Sequence, residues 1–316
     1  MRMSQVRRGA FVAAAVLLVT VLGGCASVGV HSDRPKVLTT FTVLADIARN
    51  VGGSHAEAVS LTKFGAEIHG YEPTPGDLHK AMDASLVVVN GLHLDDWFER
   101  FLADMDVPRI VASDGIEPMH ISEIPGAAAD EADRPNPHAW MSPTAAKVYA
   151  ANIAAGLARV DPDHAEDYRR NAAQYGRQLD AEQQRLIDAV ATLPDNERAL
   201  VSCEGAFSYL ARDTGLTEHY IWPVNSEQEA TPQQMRRTVE FVRARDVPAV
   251  FCESTVNDAP MRQVQADTGA RYGGTLYVDS LSEADGPVPT YLDLLRHDIS
   301  TIVAGLTGKD LDRAEP

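Results

Sequence analysis

The 316-residue sequence is short of cysteine and of positive charge, and beyond residue 24 it has no long apolar run. Each shortage excludes something. Three cysteines, Cys25, Cys203 and Cys252, cannot build a disulfide framework for a chain of this length. Cys203 and Cys252 read as two small buried residues, with one disulfide between them as the open alternative. Lys and Arg number 28 against 45 Asp and Glu, a formal charge of −17, so the surface lacks the basic patches that nucleic acid requires. Such a surface suits solubility and the attraction of cations. No apolar stretch after residue 24 reaches the roughly 20 residues that span a bilayer, so any membrane channel belongs to another polypeptide. There is no GxxxxGK[ST] phosphate loop, which puts ATP hydrolysis elsewhere too, and no HExxH helix.

What is present starts with processing. Arg2, Arg7 and Arg8 precede the apolar residues 10–22 and then "LGGC", residues 22–25. A basic start, a short apolar core and small residues before a cysteine resemble a bacterial lipoprotein signal, with 1–24 removed and Cys25 lipidated. A plain secretory signal is the alternative. Losing three arginines and no acid takes the formal charge from −17 to −20. Residues 25–34 read as a tether, and the expected location is the outer face of the cytoplasmic membrane.

From Lys36, strand-like and helix-like patterns alternate. "KVLTTF" (36–41), "EAVSLT" (57–62), "LVVVNG" (86–91) and "RIVASDG" (109–115) are rich in β-branched residues and separated by amphipathic segments. Continuous apolar strands between helices predict a parallel sheet covered on both faces. Thr74 and Ser142 are set as helix caps, with Pro75 and Pro143 at the first helical positions. From Asp161-Pro162 no helix breaker follows until Pro194, and Ala165, Tyr168, Ala172, Tyr175, Leu179, Leu186 and Val190 share one face, interrupted by Glu182. About 32 residues predict a helix near 48 Å long. The alternation then restarts with "RALVSC", "EHYIWPV", "AVFCES" and "GTLYVDS". The expectation is an α/β protein of two lobes, each a mainly parallel four-stranded sheet flanked by helices, joined by one long rigid helix. The boundaries are an N-terminal lobe at 35–161, a linking helix at 162–193, a C-terminal lobe at 194–308 and a tail at 309–316.

In open α/β sheets ligands bind beyond the carboxyl ends of strands. The loops there carry His69, in "FGAEIHGYEPTP", and His138, in "RPNPHAWMSP", from the first half. Glu204, after "ALVSC", and Asp279, after "TLYV", come from the second. Two imidazoles and two carboxylates suit manganese, iron(II) or zinc better than calcium or magnesium. A rival cluster, His93, Asp95 and Asp96, also has ligand chemistry, although Asp95 or Asp96 is explained as a helix cap.

"IHGYEPTPGDLHKAMDASLVVVNGLHLDDW", "NPHAWMSP", "SCEGAFSYLA", "IWPVNSEQEATPQQM", "VFCESTVNDAPM" and "LYVDSL" resemble the solute-binding lipoproteins of manganese- and zinc-importing ABC transporters. The resemblance implies a cleft between two lobes holding one metal ion through His69, His138, Glu204 and Asp279. It implies delivery to a permease with a separate ATPase subunit and no catalysed reaction; a monomer is expected. Zinc-dedicated members often carry three histidines and a His-rich loop, whereas here "MHISEIPGAAADEADRPN" has His120 alone and Glu204 fills the third position. That favours manganese, with zinc and iron(II) open, because affinity at such sites rises from manganese toward zinc. The competing readings are a secreted zinc hydrolase, which would keep one metal position open, and a surface adhesin.

Overall fold

The computed structural model describes residues 34–102, 106–121, 134–224 and 230–309. The expected signal peptide, the Cys25 anchor, the tether up to residue 33, the acidic stretch 122–133 and nearly all of the tail lie outside the described residues.

In the first half, β1 (Lys36–Thr39), β2 (Glu57–Ser60), β3 (Leu86–Val89) and β4 (Arg109–Val111) form one parallel sheet in the order β2-β1-β3-β4. Every residue of β3, Leu-Val-Val-Val, is buried, as a parallel strand with covered faces requires. The helices are α1 (Thr42–Gly52), α2 (Pro75–Met82), α3 (Asp96–Leu102) and α4 (Pro143–Val160). The expected caps form. Thr74 accepts from Asp77 N while Asp77 answers to Thr74 N, and Ser142 accepts from Ala145 N, each ahead of a proline that starts its helix on a fixed φ. These caps fix the ends of the loops that carry His69 and His138.

The linking helix is shorter than the sequence pattern predicts. Pro162–His164 winds as a 3₁₀ turn, and α5 runs from Ala165–Val190, 26 residues or about 39 Å. At the N-terminal end the reason is local. The Asp161 carboxylate takes the Tyr168 hydroxyl (2.5 Å) and His164 Nδ1 (2.8 Å) instead of capping a backbone N–H. The predicted apolar stripe is buried at Tyr168, Tyr175, Leu179, Leu186 and Val190. Glu182, its interruption, is buried as well and pairs with Arg185 and with Arg296 of α9 (Tyr291–Thr307).

The second half contains β5 (Ala199–Glu204), α6 (Ser208–Thr214), β6 (Thr217–Trp222), α7 (Pro232–Arg245), β7 (Ala249–Glu253), α8 (Ala259–Thr268), β8 (Arg271–Leu276) and then α9. Its strands pair in parallel as β5–β6 and β7–β8, with β5 packed beside β7, so the predicted sheet comes as two adjoining pairs. Cys203 and Cys252 bridge that seam as a disulfide, with Cα atoms 4.8 Å apart, settling the alternative the sequence leaves open.

One apolar core runs through both halves. Within it Trp140 is fully buried; its ring packs against Phe41 at a tilt of 58°, centroids 4.8 Å apart, and its Nε1 donates to Val278 O at 3.1 Å. The Tyr291 hydroxyl donates to Trp140 O, and the Tyr209 hydroxyl to Asn136 O (2.8 Å). Truncating Trp140 to alanine would cost about 3–5 kcal/mol of stability. Among the described residues no helix is long and apolar enough to cross a membrane.

Candidate metal centre

Glu204 and Asp279 stand at carboxyl ends of strands, while His69 and His138 lie further along the connections that follow β2 and β4. His69 lies between β2 and α2, and His138 opens a 3₁₀ turn, Ala139–Met141, ahead of α4. Glu204 ends β5, and Asp279 follows β8 by three residues. Their polar atoms converge. His69 Nε2 lies 3.1 Å from His138 Nε2, 3.6 Å from Glu204 Oε1 and 3.8 Å from Asp279 Oδ1. His138 Nε2 lies 3.9 Å from Glu204 Oε1 and 3.8 Å from Asp279 Oδ1. Ligand atoms about 2.0–2.2 Å from a shared tetrahedral centre stand about 3.3–3.6 Å apart. These five spacings bracket that range; His69, His138 and Asp279 lie within 4.8 Å of one another, and Glu204 stands at the edge of that group, beside the two imidazoles.

The centre is shut off from water. The His138, Glu204 and Asp279 side chains are at most 1% exposed and His69 is 6% exposed, so His69 marks the side open to solvent. Asp279 Oδ1 is buried without a hydrogen-bond partner, while Oδ2 accepts from Thr255 Oγ1 at 3.4 Å. A buried, unpaired carboxylate oxygen aimed at two imidazoles is costly unless something positive occupies the space between them.

Protonation follows from these surroundings. Burial alone would push the His69 imidazolium to lose its proton. The nearby carboxylate of Asp279, 3.8 Å away, and the negative fields of Glu204 and Glu67 overcome it and hold His69 up at about 9. Burial depresses His138 to about 3, helped by the positive charge on His69, so it is neutral. Burial would raise Asp279, but His69 beside it wins and holds the carboxyl below its usual range. Two further acids face the centre. Burial, then the charge of Asp279, pushes Glu67 upward, and its Oε1 accepts from the backbone N of Ile68 and His69. Glu253, buried beside Glu204, is raised well above the carboxylate range, and its Oε2 accepts from Glu204 N at 3.2 Å.

The sequence reading passed over Glu253 and Asn136. Glu253 had a visible signal, because β5 and β7 both end in Cys-Glu. Asn136, two residues before His138, had none. The rival cluster does not assemble as a site. His93 and Asp96 pair on the exposed surface, and Asp95 is buried, turning its carboxylate back to Gly91 N at 2.8 Å.

A family model described as the periplasmic component A of zinc-uptake complexes matches residues 37–305, and the chain belongs to that family. The class is therefore the two-lobed solute-binding component of metal-importing ABC transporters, which is not an enzyme. Among its relatives is the iron-binding protein YfeA of Yersinia pestis, 48% identical over 271 residues, 85% of this chain and 86% of that protein. The manganese ABC transporter substrate-binding lipoprotein PsaA of Streptococcus mitis is 30% identical over 301 residues, 92% of this chain and 96% of that protein. The Mn-bound periplasmic metal-binding protein of Candidatus Liberibacter asiaticus superposes with a TM-score of 0.79 at 36% identity, covering 86% of this chain and all of that one.

Proposed function

We propose that this protein captures one divalent transition-metal ion as cargo through His69, His138, Glu204 and Asp279. Manganese is the favoured ion and iron(II) and zinc are competitors. The ion is delivered to a separate ABC permease and ATPase. The observation that carries the reading is the approach of two imidazole nitrogens and two carboxylates, buried and drawn from both halves, to within 3.1–3.9 Å of one or both imidazoles. Two carboxylates, each able to bind through one or both oxygens, admit the coordination numbers above four that manganese and iron(II) accept more readily than a structural zinc site does. The names of the relatives agree in part, one being called iron-binding and another the substrate-binding lipoprotein of a manganese ABC transporter, and a solved neighbour is titled Mn-bound. A catalytic zinc keeps three protein ligands and an open position, whereas the set proposed here has four ligands, which disfavours the hydrolase alternative.

Two experiments test the reading. Elemental analysis of protein purified without chelator should find close to one transition-metal ion per chain, and competition titrations should rank manganese, iron(II) and zinc. Protein that arrives and remains free of all three overturns it. The same proposal places the protein as a monomer on the outer face of the cytoplasmic membrane through lipid on Cys25. Replacing Cys25 with alanine should release it into the soluble fraction; a variant that survives a salt wash on the membrane counts against the anchor.

A further inference from the structure

Asn136 is 1% exposed and its carboxamide faces both halves of the molecule. On one side Oδ1 accepts from His138 N at 3.0 Å and lies 2.9 Å from His138 Nδ1. On the other side Nδ2 donates to Gly205 O at 2.6 Å and to Ser208 Oγ at 3.0 Å. Turning an amide over exchanges its oxygen and nitrogen, so chemistry has to fix which faces which. Gly205 O fixes it. A carbonyl can only accept, so the amide nitrogen faces Gly205 and the oxygen is left toward His138. That oxygen can only accept in turn, so His138 Nδ1 carries a hydrogen. In the neutral ring, Nε2 is then the bare lone pair, pointing at His69, Glu204 and Asp279.

The acceptor is itself held. Gly205 N donates to Trp222 O (3.0 Å) and Pro223 O (2.9 Å), and a Cβ at position 205 would lie 2.5 Å from Pro223 O, so the close approach requires glycine. The Ser208 hydroxyl is committed too, donating to Glu218 Oε2, which leaves its oxygen to receive the Asn136 amide.

We infer that Asn136 is a positioning residue through which the Gly205 carbonyl of the second half selects the tautomer of His138 in the first. The second half thereby determines which nitrogen of a first-half ligand is free to take the ion. The inference rests on His138 being a metal ligand. Metal-bound histidines commonly give their other N–H to a carboxylate or carbonyl, and losing that partner costs about 10–100-fold in affinity.

The test uses the full chain with ¹⁵N-labelled histidine, in the metal-free state, with manganese and zinc as the titrants. Wild type should show His138 protonated on Nδ1. Asn136→Ala should show mixed tautomers and a loss of affinity of about 10–100-fold. Asn136→Asp offers His138 a carboxylate oxygen that can only accept, so it should restore the tautomer and most of the affinity. That rescue separates positioning from mere packing, because aspartate cannot donate to Gly205 O and sets an oxygen against it. His138 protonated on Nε2 in wild type overturns the inference, as does Asn136→Asp binding no better than Asn136→Ala. If Asn136→Ala fails to fold, the wild-type spectrum still decides. Wild type that binds neither metal would overturn the cargo reading instead, and would leave the tautomer assignment standing.

Discussion

His69 Nε2 and His138 Nε2 lie 3.1 Å apart, yet the one imidazole is held protonated and the other neutral. His69 faces Asp279, Glu204 and Glu67, whereas His138 is buried deeper and faces the charge on His69. The His69 proton thus occupies the place of an ion, giving Asp279 a positive partner in the apo protein.

Metal must displace that proton. Below the His69 value of about 9 the proton competes, so affinity should rise with pH across the neutral range, approaching tenfold per unit for one proton released. Apo stability should move the opposite way. The His69 value is raised above the unfolded one of about 6.5, so its contribution is complete below about 6.5 and lost as pH climbs through about 9. Calorimetry at pH 7.5 in two buffers of different ionisation enthalpy measures the proton count. Zero protons released on binding would remove this account.

The Cys203–Cys252 disulfide closes a 49-residue separation and ties β5 to β7, directly before Glu204 and Glu253. Cross-links over loops of this size constrain the unfolded chain, so the double variant Cys203→Ala/Cys252→Ala should lose about 2–5 kcal/mol. Denaturant unfolding of the oxidised wild type against the variant checks this, and equal midpoints would show that the seam is held by packing alone.

The halves are pinned near the centre by Trp140 to Val278 O, Tyr291 to Trp140 O and Tyr209 to Asn136 O. With α5 packed on α1, α4 and α9, these bonds leave little room for wide hinge closure. Small-angle scattering of apo and loaded protein should give radii of gyration near 19 Å that differ by less than about 1 Å. A contraction of several ångströms would show that the linking helix does not act as a strut.

Much of the fold and of the candidate site is legible in the sequence. The β-branched runs and the Thr74-Pro75 and Ser142-Pro143 pairs marked strands and helix starts, and looking after each strand picked out His69, His138, Glu204 and Asp279, which the fold does bring together. The failures have a common cause. Whether Cys203 meets Cys252 depends on β5 lying beside β7, a non-local fact with no local signature. Asp161-Pro162 reads as the start of the long helix, but a tyrosine seven residues on takes the Asp161 carboxylate. Glu182 reads as a break in the apolar stripe because Arg296, its partner, is 114 residues away. Asn136 is one more polar residue in a proline-rich loop until Gly205 O is placed against it.

Glu204 is the residue on which metal preference should turn. Its carboxylate ends β5, is buried and reaches both imidazoles, at 3.6 Å and 3.9 Å. Glu204→His keeps a ligand but removes a negative charge and the option of binding through two oxygens, leaving the three-histidine, one-carboxylate set that suits four-coordinate zinc. That variant should weaken manganese by at least about tenfold more than zinc, since imidazole favours zinc over manganese. Asp279→Ala deletes a proposed ligand without replacement and removes the carboxylate 3.8 Å from His69 Nε2, so it should weaken both metals severely. Wild type should still hold zinc at least as tightly as manganese in a direct competition, because intrinsic affinity rises along that series. Calorimetric titration of the three proteins with both metals separates the cases. Equal losses for the two metals in Glu204→His would sink the selectivity argument, and unchanged binding in Asp279→Ala would sink the site itself.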